Sequence, residues 1–133
     1  MAGIPGGETL HALVFAVLGR GLGALGEPAG LKPSLVQETG TGARTITTFD
    51  SPDLRKSLDA AREAARRSTA ERVVLCWDGR LTGPDGEERA VMALAQERGQ
   101  PQSLIFAQRY VPQGTGVERV GSPGFAGERA PLL

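Results

Sequence analysis

The chain has 133 residues, 40% of them hydrophobic and 23% charged, with fifteen basic side chains set against fifteen acidic ones. That describes one ordinary globular domain, large enough to fold without a disulfide or metal staple. A zero net charge lacks the basic excess that nucleic-acid phosphates and anionic membrane surfaces reward, so neither is an expected partner.

The single cysteine, Cys76, has no mate for an internal bridge. The apolar run 12–18 follows Glu8 rather than a basic segment, and it is shorter than a membrane span requires. A cytoplasmic protein is expected.

Residues 1–7, with Gly3, Pro5, Gly6 and Gly7, read as a flexible lead-in. Over 8–20, Leu10, Leu13, Val14, Val17 and Leu18 recur at helical spacing. Ala12, Phe15 and Ala16 widen that apolar face towards a second neighbour. Thr9 is a candidate cap, Gly19 or Gly21 a stop, and 21–33 a loop. Runs at 34–37 and 44–49 lean towards β-structure and flank Thr39, Gly40, Thr41 and Gly42, which suit a hairpin.

Ser51, Pro52 and Asp53 then open a second helix as N-cap, first residue and first-turn acid. Leu54, Leu58, Ala61 and Ala65 form its narrow stripe, with Leu58 and Ala61 towards a sheet and Arg62 and Arg66 solvated.

Residues 72–77 are apolar without alternation, as in a strand covered on both faces. Gly83, Pro84, Asp85 and Gly86 make a turn. The stretch 88–97 carries helix-forming alanines, yet it sits between strand-like runs with turns at both ends, and a long antiparallel strand is preferred to a helix. Residues 103–111 form another strand, stopped by Pro112. From 113 onwards no period survives.

The expected fold is α+β: a single domain over 1–112, with one mainly antiparallel sheet of about five strands and two helices packed on it, in the order α-β-β-α-β-β-β. An irregular C-terminal arm, extended or disordered, follows over 113–133. Its sparse apolar anchors cannot offset the entropy of ordering it alone, so it is expected to order by crossing onto a neighbouring chain. The order is similar to that of roadblock-type dimerisation domains, which add a closing helix. That likeness is one of topology and carries no residues across.

Candidate chemistry is thin. Gly21, Gly23 and Gly26 match a dinucleotide-binding glycine pattern, but a helical run precedes them and Pro28 follows, where a strand and a helix are needed. Cys76 and His11 are the sole Cys–His pair, with Cys76 placed mid-strand where inert cysteines sit. Asp78, Asp85, Glu87 and Glu88 crowd one turn without the spacing of a calcium loop. The glycine amides of 39–44 beside Arg44 suit a hairpin tip better than an anion nest. No catalytic, cofactor-binding or metal residue is assigned, and no cofactor is expected.

The least bland cluster is aromatic and basic. Trp77 and Asp78 end one strand, and Arg109 and Tyr110 end another. With Phe125 they are the candidate interaction or ligand surface, because Trp, Tyr and Arg dominate interface hot spots. Core aromatics with a polar tip are the plainer reading. The function expected is a non-enzymatic protein–protein interaction or assembly domain that binds a protein partner or itself, oligomerising through a sheet edge or the tail. The alternative is a small enzyme or small-ligand-binding protein with a pocket near Trp77, Asp78, Arg109 and Tyr110.

Overall fold

A computed structural model describes residues 6–133 apart from Asp85. The expected lead-in over 1–7 and the turn at 83–86 therefore lie partly outside the described residues. The elements are α1 (Glu8–Leu25), β1 (Ser34–Glu38), β2 (Arg44–Thr48), α2 (Leu54–Arg66), β3 (Arg72–Gly83), β4 (Gly86–Glu97), β5 (Ser103–Gln113), β6 (Gly116–Arg119) and β7 (Gly124–Arg129).

The strands form one antiparallel sheet ordered β2-β1-β3-β4-β5, with β6 and β7 both pairing the outer edge of β5. The α+β class and the order through β5 are as expected, but the sheet has seven strands rather than about five.

The helices lie on opposite faces. Because side chains alternate along a strand, Val36, Val74, Cys76, Val91, Ala93, Ala95, Leu104, Phe106 and Tyr110 meet α1. Leu35, Val73, Leu75, Ala90, Met92, Leu94, Ile105 and Ala107 form the second core with α2. The stretch 88–97 is strand β4. Its alanines suit a strand that must be thin on both faces so that covering elements can approach.

α1 runs past Gly19, Gly21 and Gly23 to a cap at Gly26 instead of stopping at the first glycines. Its N-cap is Gly7 rather than Thr9. By length and composition it is apolar enough to cross a membrane, with mean hydropathy 1.2 over 18 residues. One face, however, is built into the core through Leu10, Leu13, Val14, Val17 and Leu18. Ala12, Phe15 and Ala16 are exposed.

α2 begins at Leu54 with Asp53 as the cap, its carboxylate accepting from the Arg55 N–H at 2.9 Å. Ser51 therefore does not cap the helix; its own N–H donates to Ser57 Oγ at 3.0 Å. The buried line is Ser57, Ala61 and Ala65, while Leu54 is exposed and Leu58 half-buried. Arg62 and Arg66 are solvated.

The segment expected as an irregular arm is part of the sheet of its own chain. β5 continues through Pro112 to Gln113 before turning into β6. Proline is tolerated there because β4 pairs β5 only as far as Arg109, so no ladder bond is lost on that side. Val120 N–H then donates to Arg109 O at 2.9 Å, and β7 resumes the pairing along 103–107. A register shift between Ile105 and Phe106 opposes Gly127, whose φ of +135° only glycine adopts readily. Leu132 and Leu133 finally donate backbone N–H groups to Gln96 Oε1, at 2.6 and 2.9 Å. No period marked this segment because edge strands are covered on part of one face only.

At the open end of β1, β3 and β4 a row of charges replaces the apolar pairs. Arg72 bonds Glu38 at 2.7 Å and Glu97 at 2.8 Å, and Arg44 reaches Glu38 at 2.7 Å. Burial alone raises the Glu38 carboxyl, but the hydrogen bonds from Arg44 and Arg72 outweigh that and hold it below the usual carboxylate range.

The three helical glycines give a test of how close α1 lies. A Cβ at Gly21 would meet Val91 Cγ1 at 2.8 Å and Cys76 Sγ at 3.3 Å, whereas one at Gly19 or Gly23 meets nothing. Gly19→Ala and Gly23→Ala should each stabilise the fold by about 0.5–1 kcal/mol. Gly21→Ala should destabilise it by about 1–3 kcal/mol, because buried, β-branched Val91 has little freedom to yield. Chemical denaturation of the three variants checks this. Equal stabilisation by all three would contradict the close approach.

Candidate functional site

Strand alternation separates the sequence-level cluster. Asp78 and Tyr110 lie on the α1 face, with Tyr110 O–H donating to Asp78 Oδ1 at 2.6 Å. Trp77 lies on the α2 face, half-buried against the second core. A Cβ at Gly79 would touch both Met92 and the Trp77 indole, so the ring lies over that glycine. Arg109, exposed on the α2 face as well, makes a 3.4 Å contact with Glu88. Phe125 packs edge-on to Phe106 at 5.7 Å within its own chain, and Phe106 in turn meets His11 at 5.8 Å. Asp78 and Tyr110 are thus brought together, and Trp77, Arg109 and Phe125 are not joined to them.

What does gather around Asp78 and Tyr110 is a polar cleft of about 260 Å³, lined also by Gly79, Arg80 and Arg89. Arg80 on β3 stands opposite Arg89 on β4 in the register. Both are exposed, while Tyr110 is 5% exposed. Burial pushes the Tyr110 phenol up to about 12, helped by its bond to Asp78 and by the Asp78 charge. Sequence reasoning passed over both arginines, although period two along 78–80 carries the signal for Arg80.

A second cleft, of about 280 Å³, opens between α1 and the break between β6 and β7, lined by Phe15, Leu18, Leu22, Gln108 and Pro123 among others. Gln108 is fully buried and fastens that break. Its Nε2 donates to Arg109 O at 3.0 Å and Gly121 O at 3.1 Å, so the amide orientation is fixed by carbonyls. Its Oε1 has no partner among the described residues.

The other sequence candidates are placed apart. Cys76 is 1% exposed, and burial pushes its thiol up to about 12. Its sulfur lies beneath Gly21, ten residues along α1 from His11, or roughly 15 Å at the helical rise of 1.5 Å per residue. The glycine pattern 21–26 forms the last turns and cap of a helix, with no free helix N-terminus to receive a pyrophosphate. Among the described residues no group of His, Cys, Asp or Glu is placed to hold a metal ion; Asp85 lies outside them.

The sheet's two outer edges differ. On the β6–β7 side the edge is broken at 120–123, bulged at Gly127, and carries Glu118, Arg119, Glu128 and Arg129. These features discourage edge pairing. β2 is neither broken nor bulged, and it carries one charge, Arg44. All five of its residues, Arg44, Thr45, Ile46, Thr47 and Thr48, are exposed, and Ile46 is 44% exposed. The tip behind it is held firm by Thr39 N–H donating to Ala43 O at 2.9 Å and Ala43 N–H donating to Thr39 Oγ1 at 3.1 Å.

Comparison with protein-family models, with curated proteins and with solved structures finds no match.

Tyr110 is the chain's one tyrosine, so its phenolate can be titrated without ambiguity. In the folded protein the ultraviolet midpoint should fall at about 12, against about 10 for an exposed tyrosine. Asp78→Asn should lower it. Since folding raises this pKa, the associated stability is complete below pH ~10 and is lost as pH climbs through the folded value. A folded-state midpoint near the exposed value would contradict the burial of Tyr110 and its bond to Asp78.

Proposed function

We propose that this chain is a non-enzymatic assembly domain that pairs with a second copy of itself through β2. The observation that carries the reading is the contrast between the edges: one is broken, bulged and charged, and the other is a regular strand exposed at every residue.

The hydrogen-bond phase of β2 supports a two-fold pairing. Phe49 N–H donates to Pro33 O and Thr39 N–H to Ala43 O. In an antiparallel ladder bonded pairs alternate, so Thr45 and Thr47 turn their backbone groups towards β1. Arg44, Ile46 and Thr48 turn theirs outward. A two-fold axis at Ile46 then makes Ile46 face Ile46 of the second copy as a bonded pair, flanked on either side by Arg44 opposite Thr48. No like charges meet, and Thr45 faces Thr47, a favourable cross-strand pair.

The side chains agree with the backbone. On the α1 face Ile46 borders a shallow groove lined by Leu13, Ala16, Val17 and Val36 together with Arg20 and Arg44, so two copies would bring their Ile46 side chains together beside its apolar part. Such an interface is isologous and closes after two copies. The unpaired, buried Cys76 accords with a reducing compartment such as the cytoplasm.

Light scattering across a concentration series should show a species of twice the 13.9 kDa chain mass. Ile46→Arg places like charges face to face at the axis and should return the monomer, with the thermal midpoint of the fully dissociated protein unchanged. A wild-type protein that stays monomeric at millimolar concentration, or an Ile46→Arg variant with the same dimer mass, overturns the reading.

A further inference from the structure

We infer that the cleft bounded by Asp78, Arg80, Arg89 and Tyr110 is a binding site for a phosphate group, either inorganic phosphate or a small phosphate monoester. The inference is independent of the β2 pairing, which uses the other end of the sheet.

Three features converge on it. Arg80 and Arg89 face one another across β3 and β4 on the same side of the sheet. Like charges directly opposite in a ladder repel, so a strand pair gains by placing an anion between them. Neither guanidinium has an ion pair or side-chain hydrogen bond among the described residues. The acid lining the cleft, Asp78, accepts from Tyr110 instead. The positive charge there is therefore not spent on an internal partner.

The floor of the cleft is firm where its rim is free. Tyr110 is almost fully buried and belongs to the α1 core. Val91, on the adjoining strand β4 and the same face, is fully buried as well. The arginines thus rise from a fixed sheet, and only their side chains adjust on binding.

The geometry selects the anion class. A carboxylate has two oxygens and is satisfied by one guanidinium fork, whereas a phosphate group offers enough oxygens to accept from two forks at once. At about 260 Å³ the cleft is smaller than typical pockets for drug-sized ligands. It suits the phosphate and a small attached group, not a nucleotide. Asp78 lowers the net charge and disfavours polyanions.

The test is calorimetric titration of the whole chain at neutral pH and low ionic strength. Inorganic phosphate and phenyl phosphate are the two arms, and chloride at matched ionic strength is the control. At least one arm should saturate while chloride does not, and the tighter arm tells free phosphate from an ester. Arg80→Gln and Arg89→Gln should each weaken binding tenfold or more. Arg62→Gln, a solvated arginine on α2, should leave it unchanged. All three positions are exposed, so thermal midpoints should be at or slightly above wild type, where relief of the Arg80–Arg89 repulsion adds to stability, and confirm that the variants fold. No saturation in either arm, or an equal loss in Arg62→Gln, overturns the inference.

Discussion

The central strands β3 and β4 are apolar on both faces along 73–76 and 90–95, and the rest of the fold answers to that constraint. Residues 72–76 of β3 and 90–96 of β4 are buried throughout, so cover is needed above and below. α1 supplies it on one side. On the other, α2 covers β1 and β3, and the C-terminal leucines reach Gln96 on β4. Thin cover on one face would leave backbone amides and apolar side chains in water together, and neither helix can substitute for the other. Small residues settle how tightly the layers close. Gly21 meets Val91 and Cys76 on the α1 side, and Ala61 and Ala65 are buried on the α2 side. Beyond residue 77 the covering helices end, and the hairpin reverts to alternating exposure. The polar cleft forms where this change occurs.

That change explains what could be read from the chain. Where burial is one-sided, or complete as in β3, the pattern is visible: the α1 stripe, the unbroken apolar run of β3, and Ala61 and Ala65 of α2 stand in the sequence as in the fold, although Leu54 of the α2 stripe is exposed and Ser57 is buried instead. The stretch 88–97 was ambiguous because two-sided cover favours alanine, which is also a good helix former. Glycine misled in α1, where it marks a close approach and not a stop. The N-caps were legible only to within two residues, since Ser51 and Asp53 are both competent caps and it is Asp53 that accepts from the first turn.

The site was less legible, for a geometric reason. Trp77 next to Asp78, and Arg109 next to Tyr110, are neighbours along strands, so alternation forces each pair onto opposite faces. Grouping by adjacency along the chain therefore takes one lining residue of the cleft from each pair. Grouping by every second residue brings Asp78 to Arg80, and the hairpin register then brings Arg89. Gln108 left no trace at all, because a buried amide that fastens a broken strand edge has no periodic signature. The C-terminal strands were hidden for a related cause: their order derives from the edge of β5 and not from any core of their own.

Cys76 gives the packing of α1 a temporal meaning. Its sulfur lies under Gly21, within the contact that holds the helix to the sheet, and the thiol is closed to solvent while that contact stands. A reagent in water reaches it only during moments when the helix lifts or the whole domain opens. The lone thiol is therefore a clock for partial opening, and its rate of modification counts how often this layer separates from the sheet. If that rate equals the rate of global unfolding, helix and sheet form one cooperative unit. If it is faster, α1 is a separately opening layer, and the core beneath it is transiently available to whatever the domain meets.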